Sequence, residues 1–132
     1  MSQLTLHEFA LINCKLKDMS DTWSDLWVLL HVLPVGIGRV VSLRYGNLIG
    51  DSLVVEANGR FEEKTLSVPA VVCHIVQRRR DKYPHDVYVF QSHSNRVKFQ
   101  QRPVTVIAFN QALKIASKGV TDKVVSSKSA RW

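Results

Sequence analysis

At 132 residues, with 45% hydrophobic and 22% charged side chains, the chain has the composition of one globular domain able to bury a core, which excludes disorder over its whole length. Two cysteines, Cys14 and Cys73, stand far apart without metal-type spacing, so a disulfide scaffold is not indicated and both read as reduced thiols in a core. The formal charge is +7, and all of it lies beyond residue 92: residues 1–92 set ten Lys/Arg against ten Asp/Glu, whereas Arg96, Lys98, Arg102, Lys114, Lys118, Lys123, Lys128 and Arg131 face only Asp122.

Clustered cations of this kind suit a polyanion, because counterion release rewards Lys/Arg placed beside phosphates; a solvated basic tail is the competing reading. The start "MSQLTLHEF" lacks a charged region followed by an apolar one, and "LWVLLHVLPVGIG" is too short to span a bilayer. The expectation is a soluble, cytoplasmic protein with no membrane partner.

In chain order, "TLHE" at residues 5–8 is a capping box that predicts a first helix to about Lys17. Ser20 or Asp21 then caps a second helix, in which Trp23, Leu26, Trp27, Leu30 and Leu33 recur at helical spacing and apolar neighbours predict a central position. Pro34 and Gly36 end it, "GRVVSLR" predicts a short helix, and "NLIGD" reads as a turn. Leu53–Glu56 and Lys64–Val68 are β-type runs on either side of "ANGRFEE", which predicts an antiparallel hairpin with Arg60 at its tip. Pro69 suits the first turn of a helix carrying Val72, Ile75 and Val76 on one face and running into "RRR" at 78–80, whose charges read as solvated and favoured by the helix dipole. "VYVF" at 87–90 reads as a short buried strand or extended segment, and "SHSNRVKFQQRP" as a basic loop. Thr105 caps a last helix with Val106, Phe109, Leu113 and Ala116 on one face, closed by Gly119, and the remaining tail carries no structural signal.

Few residues invite a chemical reading by themselves. Gly36 and Gly38 make a lone G-x-G after an apolar helix, without the third glycine of a dinucleotide loop or the Lys-Ser/Thr of a P-loop. His31 inside "LLHVL" reads as a hydrogen-bonded core histidine, and His7, His74, His85 and His93 form no metal-type cluster. No metal and no cofactor are expected.

The order of elements resembles the catalytic domain of tyrosine recombinases, the phage-integrase family, over essentially the whole chain. The segments that carry the likeness are "SLRYGNLIGDSLVV", "DVYVFQSHSNR" and "SKSAR", similar respectively to the family's L-x-L-x-W/Y-x-D-I with its following strand, its L-F-x-S segment and its H-S-x-R box. The family cuts and rejoins DNA through a tyrosine that attacks phosphate, with two Arg, a Lys and His or Trp residues steadying the negative phosphorane, so preorganised cations lower the barrier.

Carried over residue by residue, the resemblance implies a site without its chemistry. The family's first Arg falls on Gly36, and Arg39 stands where the family usually has an acidic residue. Arg60 is nearest to the Lys of the hairpin tip, with Lys64 deeper in the returning strand; an arginine there holds phosphate but donates a proton poorly. Lys128 replaces the His of the H-x-x-R box, and Arg131 keeps its second Arg. Tyr45, Tyr83 and Tyr88 do not resemble the nucleophile in setting and read as packing residues.

The implied fold is a mostly helical α+β domain over residues 1–132 with a small antiparallel hairpin or sheet, lacking the segment that brings the nucleophilic tyrosine. The implied function is a DNA-binding, regulatory relative of recombinases that does not cleave strands. Its phosphate contacts are expected from Arg60, Lys64, Arg96, Lys98, Arg102, Lys128 and Arg131. The alternative is a protein-interaction module that dimerises, or binds a full-length recombinase, through apolar surface bared by the missing helices.

Overall fold

A computed structural model of the chain describes residues 3–93 and 101–130. Among them, five α-helices and one three-stranded antiparallel sheet make the α+β fold that the sequence pattern predicts. The chain divides into two units, residues 1–37 with 105–132 and residues 38–104.

The first unit is helical. Helix α1 (Leu6–Met19) starts at the predicted capping box: Thr5 Oγ1 accepts the Glu8 amide at 3.1 Å, and the Thr5 amide donates back to Glu8 Oε1 at 2.9 Å. Ser20 ends α1 and caps α2 (Asp21–Val32), its hydroxyl accepting from the Thr22 amide, so one residue turns the chain between two packed helices. Leu26, Trp27, Leu29 and Leu30 on α2 are fully or almost fully buried, which gives this helix the central place its apolar run predicts.

Helix α5 (Val106–Ser117), capped by Thr105, packs on α1 and buries Phe109, Ala112, Leu113 and Ala116. Trp27 joins the layers: its ring stacks on Phe9 at 5.0 Å and lies 6.4 Å from Phe109, while its Nε1–H donates to the Phe9 carbonyl. Each large apolar side chain buried this way contributes about 1.5–3 kcal/mol. Residues 127–130 carry structure that the sequence does not signal. Ser127–Ala130 form a 3-10 turn packed on α2 and α5, with Ala130 wholly buried.

The second unit holds the sheet. Helix α3 (Ile37–Val41) enters it and ends sooner than "GRVVSLR" predicts; a 3-10 turn at Tyr45–Asn47 follows. Strand β1 (Leu48–Ile49) occupies "NLIGD", read above as a plain turn, because Gly50 at φ +62° lets the chain reverse within two residues and pair Ile49 with Ser52 of β2 (Ser52–Val55). Strand β3 (Lys64–Ser67) pairs with β2 from Ser52↔Ser67 to Val55↔Lys64. Leu53 and Val55 turn inward while Ser52 and Val54 stay half-buried, the alternation of a strand with one covered face.

Helix α4 (Ala70–Lys82) begins directly after Pro69, which is its N-cap. It buries Val72, Ile75, Val76 and also Arg79, the last at 1% exposure, so the "RRR" run is not a uniformly solvated one. The Arg79 Nε–H donates to the Val89 carbonyl at 2.7 Å, and its guanidinium lies over the Phe90 and Tyr83 rings. Residues 87–90 form neither the strand nor the extended segment expected: Val87 bends, Tyr88 makes one isolated bridge to Arg44, and Val89 and Phe90 are a buried turn. Cys14 departs from the expected core thiol: it is exposed, and Cys73 is half-buried.

Candidate nucleic-acid interface

The hairpin between β2 and β3 narrows to a two-residue turn. Asn58 and Phe61 exchange both backbone hydrogen bonds at 2.9 Å, Gly59 takes φ +57°, and Arg60 fills the second turn position. Glycine first and positive, with a non-glycine second, is the type II′ arrangement that matches strand twist. Arg60 is therefore presented at the exposed tip, its guanidinium 5.7 Å from the Phe61 ring, and Lys64 is exposed where β3 begins, opposite Val55.

Behind the hairpin lies a residue that periodicity does not reveal. Arg39 projects from α3 and is only 9% exposed. Its Nη2 donates to the carbonyls of Glu62 at 2.7 Å, Glu56 at 3.2 Å and Val55 at 3.4 Å, which ties the two ends of the hairpin loop together. The Phe61 ring lies 5.4 Å from its guanidinium, and its Nε is buried without a hydrogen-bond partner.

Arg39 also forms part of the wall of a cavity of about 340 Å³, lined further by Arg44, Asn47, Glu56, Asn58, Tyr88 and Pro103 among others. The guanidinium of Arg44 stands 5.9 Å over the Tyr88 ring and 3.9 Å from the Glu56 carboxylate, both charged side chains being about half exposed. An ion pair this long and this wet contributes little, so Arg44 is electrostatically available.

The remaining predicted cations fall in different places. Arg102 is exposed, and its carbonyl accepts the Ser92 amide just before the Gln91↔Pro103 bridge. Lys128 is exposed on the 3-10 turn of the first unit. Four bonds among the described residues fix that turn: Asn110 Oδ1 accepts the Ser127 amide, Ser129 Oγ accepts the Ser126 amide, the Ser129 amide donates to the Ser126 carbonyl, and His31 Nδ1 meets the Ala130 carbonyl at 2.6 Å. Arg96, Lys98 and Arg131 lie outside the described residues. Arg60, Lys64 and Arg102 belong to the second unit and Lys128 to the first.

Lys123 of the basic segment and Lys15 of α1 are engaged internally. Lys123 Nζ donates to Glu8 Oε1 and to the Gln3 carbonyl, each at 2.7 Å, and Lys15 Nζ donates to the Lys118 carbonyl. Glu8 responds: hydrogen bonds from Lys123, the Thr5 amide and Thr121 lower its carboxyl to about 2.

Gly36, at the position of the family's first arginine, is exposed, and a Cβ there would meet nothing within 4 Å. Local crowding does not demand the glycine. Among the tyrosines, Tyr45 is buried and burial raises its hydroxyl pKa, with the Arg79 charge opposing; Tyr83 stacks on His93 at 4.5 Å; Tyr88 lines the cavity. Among the described residues, no group of three His, Cys, Asp or Glu side chains is placed to hold a metal ion, and no helix is long and apolar enough to cross a membrane.

Fold and site together describe a small α+β protein with an arginine-lined cavity beside a β-hairpin and a basic C-terminal segment. Neither a family model nor a curated protein matches the chain.

Proposed function

We propose that this is a DNA-binding protein of tyrosine-recombinase type that holds backbone phosphates and does not cleave strands, acting in a regulatory role. The observation that carries the reading is the charge distribution: eight Lys/Arg against one Asp beyond residue 92, with no net charge before it. Exposed placement of Arg60, Lys64, Arg102 and Lys128 supports it, since a cation must reach solvent to displace counterions. Arg96, Lys98 and Arg131 are included on sequence grounds. Such contacts position the protein on the duplex without reading its bases.

Fluorescence anisotropy of a labelled duplex across a salt series tests this, with the Lys128→Ala/Arg131→Ala double variant in parallel. For B-DNA the log–log slope is about −0.9 per phosphate neutralised, so the variant's slope should be shallower by about two such steps. No binding at low salt would overturn the proposal.

A protein-interaction module is the second reading, favoured by three exposed aliphatic residues of the first unit: Ile107 at 72%, Ile115 at 61% and Val124 at 93% exposure. Ile107 and Ile115, eight positions apart, share a face of α5. The partner would be a second copy or a full-length recombinase. Mass measured against concentration decides self-association, and a strict monomer would count against it.

A further inference from the structure

Arg39 is a buried cation held by backbone carbonyls and the face of one aromatic ring. Its Nη2 faces three backbone carbonyls, its Nε has no hydrogen-bond partner, and among the described residues no carboxylate lies within ion-pairing distance of it. A charge withdrawn from water is costly unless it is paired, and carbonyl dipoles meet only part of that cost. The cavity it lines carries a second guanidinium, Arg44, the amide side chains Asn47 and Asn58, and the aromatic ring of Tyr88. Asn47 is already set, because its Oδ1 accepts the Arg44 amide at 2.8 Å and so orients its NH₂ end away from that bond.

We propose that the Arg39–Arg44–Tyr88 cavity is an anion site that takes one phosphate group. Two guanidiniums offer charge-assisted donors to tetrahedral oxygens, Arg39 fixed by its carbonyls and Arg44 able to swing from Glu56. A volume of about 340 Å³ lies within the range of small-ligand sites, which leaves room for the organic body attached to the phosphate. The source is either a diester of a DNA backbone or a free phosphorylated compound. Glu56 is the opposing group: its carboxylate lines the same cavity and must be left by Arg44 when the anion enters. The inference stands apart from the basic-segment reading, because none of Lys128, Arg131 or the segment 94–100 is used.

The test is titration of inorganic phosphate into the full chain at constant ionic strength, followed by ¹⁵N–¹H spectra that include arginine Nε–Hε signals. Saturable shifts are expected at Arg39 Nε and at the amides of residues 44–47 and 57–58. Arg44→Gln should weaken binding about ten- to hundredfold, the worth of hydrogen bonds to a charged group. Glu56→Gln should tighten it by about three- to tenfold through loss of like-charge repulsion. Both side chains are about half exposed, and thermal unfolding confirms that each variant folds.

Absence of saturation, or equal affinities for wild type and both variants, would overturn the site. Wild-type phosphate affinity in the Lys128→Ala/Arg131→Ala variant supports a site separate from the basic segment. A short duplex that shifts the same Arg39 signal identifies the diester; a duplex that leaves it unmoved while phosphate saturates it identifies a free phosphorylated ligand. Duplex binding without any phosphate titration sinks the cavity and spares the basic-segment reading.

Discussion

The imidazole Nδ1 of His31 and the carbonyl oxygen of Ala130 lie 2.6 Å apart, although 99 positions separate them in the chain. A carbonyl can only accept, so Nδ1 carries the hydrogen and the tautomer is fixed. The bond fastens the 3-10 turn that presents Lys128 to the central helix.

His31→Phe keeps a ring beside Phe9, whose centroid is 4.7 Å from the imidazole, and removes only the donor. The expected cost is about 1 kcal/mol in urea unfolding, with faster amide exchange across residues 126–130. Unchanged exchange there would show that the turn is held by its own serines.

Arg39→Met should be the most damaging single change in the second unit. It strips three carbonyls of a common donor and releases the base of the hairpin, with an expected loss of about 2–4 kcal/mol. Arg39→Lys should recover only part of this, because the shorter side chain loses the reach of Nη2 and the flat guanidinium beside the Phe61 ring. Chemical denaturation of the three proteins at one pH is the check, and a Lys variant as stable as wild type would show that the guanidinium is not required at this position.

Acid should weaken the first unit through Glu8. Its carboxyl is held at about 2 in the folded chain against 4.5 ordinarily, chiefly by Lys123. A depressed folded value means that the contribution is complete above about pH 4.5 and fades as pH falls towards 2. Glu8→Gln should therefore flatten the fall in stability across that window, and curves of identical shape would exclude Glu8 as a source of acid sensitivity.

Two glycines should respond oppositely to alanine. Gly59 sits at φ +57°, where a Cβ is strained, so Gly59→Ala should cost about 1–2 kcal/mol. Gly38 lies inside α3 with no atom within 4 Å of a built Cβ, and Gly38→Ala should add about 0.5 kcal/mol. Thermal melts of the pair read both signs directly.

Helices were the legible part of this chain because their signals are local. Thr5 and Glu8 sit three apart, as a capping box requires, and Ser20 precedes the apolar run of α2. The spacing of Val72, Ile75 and Val76 marks the covered face of α4, but the charge run at 78–80 reads as solvated and hides that Arg79, three residues beyond Val76, is buried on it. Asn58-Gly59 signalled the hairpin, although the turn itself is Gly59-Arg60. The cavity left no such mark. Arg39 is held by carbonyls, which every residue carries, so its partners at 55, 56 and 62 have no side-chain signature. Strand β1 escaped notice because two residues are too few for alternation to show.

One feature of the chain path bears on how the protein is made. The second unit is a continuous stretch, residues 38–104, whereas the first needs both the opening helices and α5 from the far end. During synthesis from the N-terminus, the sheet has its strand partners and the hairpin its Arg39 tie, all within residues 38–104, before α5 has left the ribosome. Helices α1 and α2 emerge earlier yet wait longer, α1 without the α5 that packs on it and Trp27 without the Phe109 ring. The nascent chain therefore exposes apolar surface on α1 and α2 until α5 has been made. A holding chaperone acting on this protein has its natural target in helices α1 and α2.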